Sequence, residues 1–207
     1  MDNLSSKLLE NAVMEFNRLQ GVGKRSALRM VLNILNFSES EKESFIEAFR
    51  ALKDDIHYCK ICNNISDNEI CPICANPKRN HAIICVVQDI RDIIAIENTR
   101  QFNGIYHVLG GIISPIDGIG PDDLNMYSLF EKAKAGVLEE IILALPTTIE
   151  GDTTNYFIYK NIEDCDLKIT TIARGISIGD ELEYADEVTL GRSLKDRIDF
   201  EQITVRS

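Results

Sequence analysis

Cys59-Lys60-Ile61-Cys62 and, eight residues further on, Cys71-Pro72-Ile73-Cys74 are the stretch from which the rest of the chain is read. Each C-x2-C turn aims two sulfurs at one point, and two turns this close supply the four soft ligands of a tetrahedral zinc ion. A pair of disulfides would need an oxidising compartment. A redox dithiol would be one pair beside a βαβ pattern, not two pairs in tandem. Four cysteines close the coordination sphere, so a zinc held by Cys59, Cys62, Cys71 and Cys74 is structural, with no open position for a substrate. The intervening Asn63 to Ile70 is too short to hold much core. The metal is therefore expected to supply most of this knuckle's folding free energy, on the order of 10–16 kcal/mol.

On the N-terminal side, Leu8, Leu9, Ala12, Val13, Phe16 and Leu19 fall at helical spacing, and so do Ala27, Leu28, Met30, Val31, Ile34 and Leu35. Between them lies Gln20-Gly21-Val22-Gly23-Lys24-Arg25-Ser26, the pattern of a helix-hairpin-helix. Glycines permit positive φ and close backbone approach to a ligand. The turn opens a helix, whose N–H groups and dipole attract an anion. Lys24, Arg25 and Arg29 flank that point and can neutralise phosphates, giving sequence-independent binding. An ordinary αα-hairpin is the alternative; the clustered cations favour phosphate. Residues 37–54 read as a third helix, capped near Ser38 and carrying the apolar stripe Phe45, Ile46, Phe49 and Leu52, from which packing is expected. Pro77-Lys78-Arg79-Asn80 reads as a linker, with Lys78 and Arg79 either solvated or touching phosphate.

Beyond the knuckle the pattern changes. Ala82 to Val87 is a continuous apolar run, the mark of a strand buried on both faces, and it ends in Gln88-Asp89. Further strands are expected over 104–109, 140–145 and 168–173, alternating with helices over 90–99, 122–134 and 153–161. That alternation predicts a parallel α/β sheet with right-handed crossovers. Functional groups then gather beyond the carboxyl ends of the strands, where Gln88, Asp89, Glu150 and Asp152 stand. A last helix is expected over 187–199.

The 207 residues leave room for one or two domains plus small modules. A net charge of −11 argues against a generally basic nucleic-acid binder but leaves room for a local cationic patch. The polar start, with Asp2 and Lys7, is unlike a leader, and no apolar run approaches the ~18 residues of a membrane span, so a cytoplasmic protein is expected. Cys85 and Cys165 stand alone in apolar surroundings and read as small buried hydrophobes. His57, His81 and His107 form no triad and read as surface or packing residues.

The order of these parts, with Tyr106 to Gly111, Ser114 to Pro121, Ala173-Arg174-Gly175 and Leu182 to Glu187, resembles the RecR family of bacterial recombination mediators over essentially the whole chain. Its α/β part resembles the Toprim fold of primases and type IA and II topoisomerases. The resemblance implies a ring-shaped homotetrameric DNA clamp for recombinational repair. It would work with RecO, and in some contexts RecF, in loading recombinase on gapped DNA, as a cytoplasmic, nucleoid-associated protein. The implied organisation is a helix-hairpin-helix DNA-binding region (1–54), a four-cysteine zinc finger (55–79), a Toprim domain (80–173) and a C-terminal oligomerisation segment (174–207). The family's hairpin cations fall on Arg25 and Arg29, beside Gly21 and Gly23, with Lys24 an additional cation. The Toprim acids fall on Glu150 and Asp152, and the Toprim glutamate after the first strand falls on Gln88, a departure; Gln20 departs from the usual proline. An amide is neither a general base nor a negative charge. The remaining acids are left with weak Mg²⁺ binding or a partner contact, and catalysis is not expected. Tyr106, Tyr127, Tyr156, Tyr159 and Tyr184 lie in core-like or helical contexts, unlike a topoisomerase nucleophile. Tyr184-Ala185-Asp186 resembles the family's Walker B-like region, but no G-x-x-x-x-G-K-[ST] phosphate cradle is present. The competing readings are a Mg²⁺-dependent Toprim nuclease or primase-like enzyme, and a zinc adaptor that binds only proteins.

Overall fold

The computed structural model describes residues 6–199, and the end of the expected C-terminal segment, 200–207, lies outside them. The chain forms two compact units, Met1–Ile56 and His57–Ser207. In the first, α1 (Lys7–Asn17) and α2 (Lys24–Ile34) pack as a hairpin, followed by α3 (Glu39–Asp54). Ser6 caps α1 by accepting from the Leu9 N–H. Ser38 and Glu41 form a reciprocal capping box at the start of α3, so both helix starts are specified locally. Ala27 and Val31 of α2 are buried. The stripe of α3 departs from expectation. Phe45 packs on Phe37 and Phe49, yet Ile46, Phe49 and Leu52 remain exposed. A unit this small has too little interior to cover them all.

The second unit opens with a hairpin of β1 (His57–Tyr58) and β2 (Ile65–Ser66), antiparallel, then the one-turn helix α4 (Pro72–Ala75). Its main sheet contains β3 (Asn80–Val87), β4 (Gly104–Val108), β5 (Glu140–Leu143) and β6 (Lys168–Thr171) in the order β4-β3-β5-β6. All pairings are parallel, with Val86 opposite both His107 and Leu143. Helices α5 (Ile90–Thr99), α6 (Met126–Lys134) and α7 (Ile149–Ile162) make the crossovers. Alternate residues of β3 feed two separate cores: Ile84 and Val86 with Leu129, Ile141 and Ile158, and Cys85 and Val87 with Ile93 and Tyr106. This is the double-sided burial that the apolar run of β3 requires. Cys85 is buried as expected, whereas Cys165 is only half-buried. A short 3₁₀ turn, Leu182–Tyr184, and α8 (Glu187–Lys195) follow; α8 stops four residues before the expected Asp199.

Two boundaries differ in ways that matter for function. The expected helix over 122–134 is broken into a 3₁₀ turn, Pro121–Asp123, and α6 from Met126, because the Asn125 N–H is taken by the Leu109 carbonyl at 2.9 Å. Helix α7 starts at Ile149 instead of Thr153, because Thr148 caps it by accepting from the Gly151 N–H at 3.1 Å. Glu150 and Asp152 thus ride on the first helical turn, not on a loop.

Gly151 sits between those acids because a side chain there would place its Cβ 2.0 Å from the Pro146 carbonyl oxygen. Gly151→Ala is expected to destabilise the second unit by about 1–3 kcal/mol, the usual magnitude of overpacking. Urea denaturation checks this; an unchanged midpoint would contradict the close approach.

Candidate functional site

Three groups of residues carry chemistry. At the hairpin, the Leu19 carbonyl accepts from the Val22 N–H at 3.0 Å, and Gly21 takes φ +81°, which favours glycine. Gly23 is the N-cap of α2 and supplies no side-chain cap, and no acid stands in the first turn. The first N–H groups of α2 and its positive dipole end therefore face outward beside Lys24, Arg25 and Arg29, all exposed. Elsewhere in this unit, Arg18, Lys42 and Arg50 are each paired with a glutamate three residues away. Lys24, Arg25 and Arg29 have no ion-pair partner among the described residues.

At the knuckle, the ligand atoms of Cys59, Cys62, Cys71 and Cys74 all lie within 4.8 Å of one another, and all four residues are buried. The Cys62 and Cys71 sulfurs are 3.6 Å apart. That matches the ~3.8 Å edge of a tetrahedron built on Zn–S bonds of about 2.3 Å and is far too long for a disulfide. The loops are shaped around these sulfurs. Asn63 adopts φ +60° to close the first turn, its N–H bonding the Cys59 carbonyl at 2.8 Å. The Cys71 N–H donates to the Cys59 sulfur at 3.3 Å and the Cys74 N–H to the Cys71 sulfur at 3.5 Å, bonds that stabilise thiolates. Thiols packed this closely do not ionise together unaided. The hydrogen bond from Cys74, first among its causes, draws Cys62 down to about 6, while burial pushes Cys71 up to about 11. A divalent cation is the charge that lets all four be thiolates. The donor set fits zinc.

The knuckle is wired to the sheet. The Val108 N–H of β4 donates to the Cys62 carbonyl at 2.8 Å. Lys132 of α6 donates to the Ile61 carbonyl and, at 3.2 Å, to Nδ1 of His107. His107 is fully buried, and its Nε2–H donates to the Asn125 carbonyl at 2.6 Å. Burial, followed by the neighbouring Lys132 charge, pushes its pKa down to about 4.

The acids beyond the sheet do not converge. Asp89 is the N-cap of α5, accepts from the Arg91 N–H at 2.8 Å and pairs with the Arg91 guanidinium. The Gln88 backbone N–H donates to Asp92. Asp152 is held bidentately by Arg174, which keeps its carboxyl below the usual range. Among the described residues, the four cysteines are the one group of three or more His, Cys, Asp or Glu side chains placed to share an ion.

The comparisons follow this anatomy. A family model for the four-cysteine zinc-finger domain of RecR matches residues 56–76, a Toprim domain model matches 82–173, and a "RecR, C-terminal" model matches 175–198. A relative from Flavobacterium psychrophilum, named recombination protein RecR, is 58% identical over 197 residues, covering 95% of this chain and 96% of the relative. The chain belongs to the RecR family. Proteins of the same name from Flavobacterium johnsoniae (58% identical, 96% of each chain) and Parabacteroides distasonis (57% identical, 94% of each chain) agree. The RecR zinc-finger match contains all four buried cysteines, and the Toprim match contains the four-stranded parallel sheet except the first two residues of β3.

Some residues that organise this RecR-family structure are invisible to local sequence reading. Arg79, read as a linker residue or phosphate contact, is neither: its guanidinium is largely buried, clamps Glu97 at 2.5 and 2.9 Å, and bonds the Phe102 and Gly104 carbonyls. Tyr106 Oη donates to the same Glu97 at 2.6 Å. All three partners of Arg79 lie 18 or more residues away, beyond any periodicity.

Proposed function

We propose that this chain is a non-enzymatic, DNA-binding protein of recombinational repair. In this reading a ring of its copies, a homotetramer, clamps DNA and works with RecO, and in some contexts RecF, in loading recombinase on gapped DNA in the cytoplasm. Residues 1–54 hold the duplex through Gly21, Gly23, Lys24, Arg25 and Arg29, 55–79 form the zinc finger, 80–173 the Toprim domain with Gln88, Asp89, Glu150 and Asp152 on a partner-facing surface, and 174–207 join subunits. The observation that carries the DNA-binding part is the uncapped, acid-free start of α2 beside three cations with no carboxylate partner among the described residues. Phosphates fit that arrangement on both counts, hydrogen bonds and charge. The relatives' shared name, recombination protein RecR, supports the repair context. No described helix is long and apolar enough to cross a membrane.

Exchanging both Arg25 and Arg29 for Ala tests this. Duplex affinity at low salt, followed by fluorescence anisotropy, is expected to fall at least about tenfold. The slope of log K against log salt is expected to shrink by about 2, one unit per lost phosphate contact. Zinc content and circular dichroism stay as in the parent chain. Undiminished binding in the double variant would remove the hairpin from the mechanism.

A further inference from the structure

A Toprim domain implies Mg²⁺, which needs several oxygen ligands and a surplus of negative charge. Glu150 is the one Toprim acid left without an ion-pair partner among the described residues, and a single carboxylate does not make such a site. Gln88 brings an amide, and Asp89 is spent on capping α5 and on Arg91. Asp152, on the first turn of α7, receives both terminal nitrogens of Arg174, Nη1 to Oδ2 at 3.1 Å and Nη2 to Oδ1 at 2.5 Å. The Arg174 side chain is 21% exposed, while Asp152, at 49%, stays half open to solvent. A cleft of about 490 Å³ at this point is walled by Asp152, Asn155, Thr171, Arg174, Arg192 and Asp196. Its four charged groups are two cations and two anions, which cancel. Arg192 of α8 adds to the positive field on Asp152.

We propose that the Arg174 guanidinium is the permanent cation of this Toprim face, excluding a divalent ion from Asp152 and fastening the start of the C-terminal segment to α7. Arg174 follows β6 by three residues and immediately precedes the residues that match the C-terminal family model. One bidentate pair therefore does two jobs: it neutralises the acid that a metal would need, and it anchors the chain leading to α8. The inference is independent of DNA binding at α2.

The test titrates Mn²⁺ into the zinc-loaded full chain and counts free ion by electron paramagnetic resonance. The wild type and Gln88→Glu are expected to bind no Mn²⁺ at the Toprim face. Gln88→Glu with Arg174→Met is expected to gain a site at least about tenfold tighter than Gln88→Glu alone, because the fixed positive charge beside Asp152 is gone. Adding Asp152→Asn to that double variant abolishes the site. Separately, Asp152→Asn alone is expected to speed limited proteolysis within 175–199 several-fold at unchanged zinc content. Four results would each overturn the proposal: wild-type Mn²⁺ binding that Asp152→Asn removes, equal binding by Gln88→Glu and the double variant, no binding by a double variant with normal circular dichroism and zinc content, or unaltered proteolysis.

Discussion

Cys71→Ser is expected to strip the chain of most of its zinc and to unfold residues 57–76 locally, leaving the first unit intact. Cys71 is fully buried, its sulfur is 3.6 Å from that of Cys62, and its own N–H holds the Cys59 sulfur. Removing its sulfur deletes one of four ligands, and although a serine hydroxyl can still cap α4 by accepting from the Cys74 N–H, it cannot replace the thiolate. The two-residue strands and one-turn helix of the knuckle bury too little to fold without metal, whose binding is worth on the order of 10–16 kcal/mol. Zinc released on denaturation and amide exchange over 57–76 are the readouts. Acid acts in the same direction. The ligands must shed protons to bind, and Cys71, pushed up to about 11 by burial, holds its proton tightly, so loading falls as pH falls. Full zinc content with unaltered exchange would show that the knuckle stands without its fourth sulfur.

His107 gives the second large effect. Its folded pKa, about 4, lies below the ordinary 6.5, because a buried imidazole beside Lys132 resists a second proton. Between those values the unfolded chain binds a proton that the folded chain does not, so stability rises with pH. The histidine imposes no penalty above about 6.5; the penalty grows as pH falls and reaches about 3 kcal/mol below about pH 4. Urea midpoints for the second unit are therefore expected to drop steeply between pH 6.5 and 4.5. His107→Gln should flatten that limb while lowering stability at pH 7, since the Asn125 carbonyl and Lys132 lose a fitted partner. The difference between the two chains separates this effect from acid release of zinc. Parallel limbs in both would rule out His107 as its source.

What the sequence discloses and what it conceals divide along range. The knuckle is legible because its ligands are spaced by local turn geometry, and the sheet because β3 alternates between two cores without a polar break. The hairpin is legible because only glycine takes the φ of Gly21 readily. Arg79, Arg174, His107 and Lys132 work through partners tens of residues away, and no periodicity encodes those pairings. Residues 149–152 mislead for a different reason: the helix is expected only from Thr153, but Thr148 caps it so that it starts four residues earlier, and the glycine inside its first turn is demanded by the Pro146 carbonyl.

The bond from Val108 to the Cys62 carbonyl gives the knuckle a protective duty. Strand β4 ends the sheet on one side, and the knuckle, with α4 lying against that strand, consumes a main-chain donor there. An uncovered outermost strand is a template for polymerisation with a neighbouring molecule. Chelation should therefore do more than soften a small loop: it should unmask that border, and turbidity or light scattering growing with protein concentration should follow metal loss.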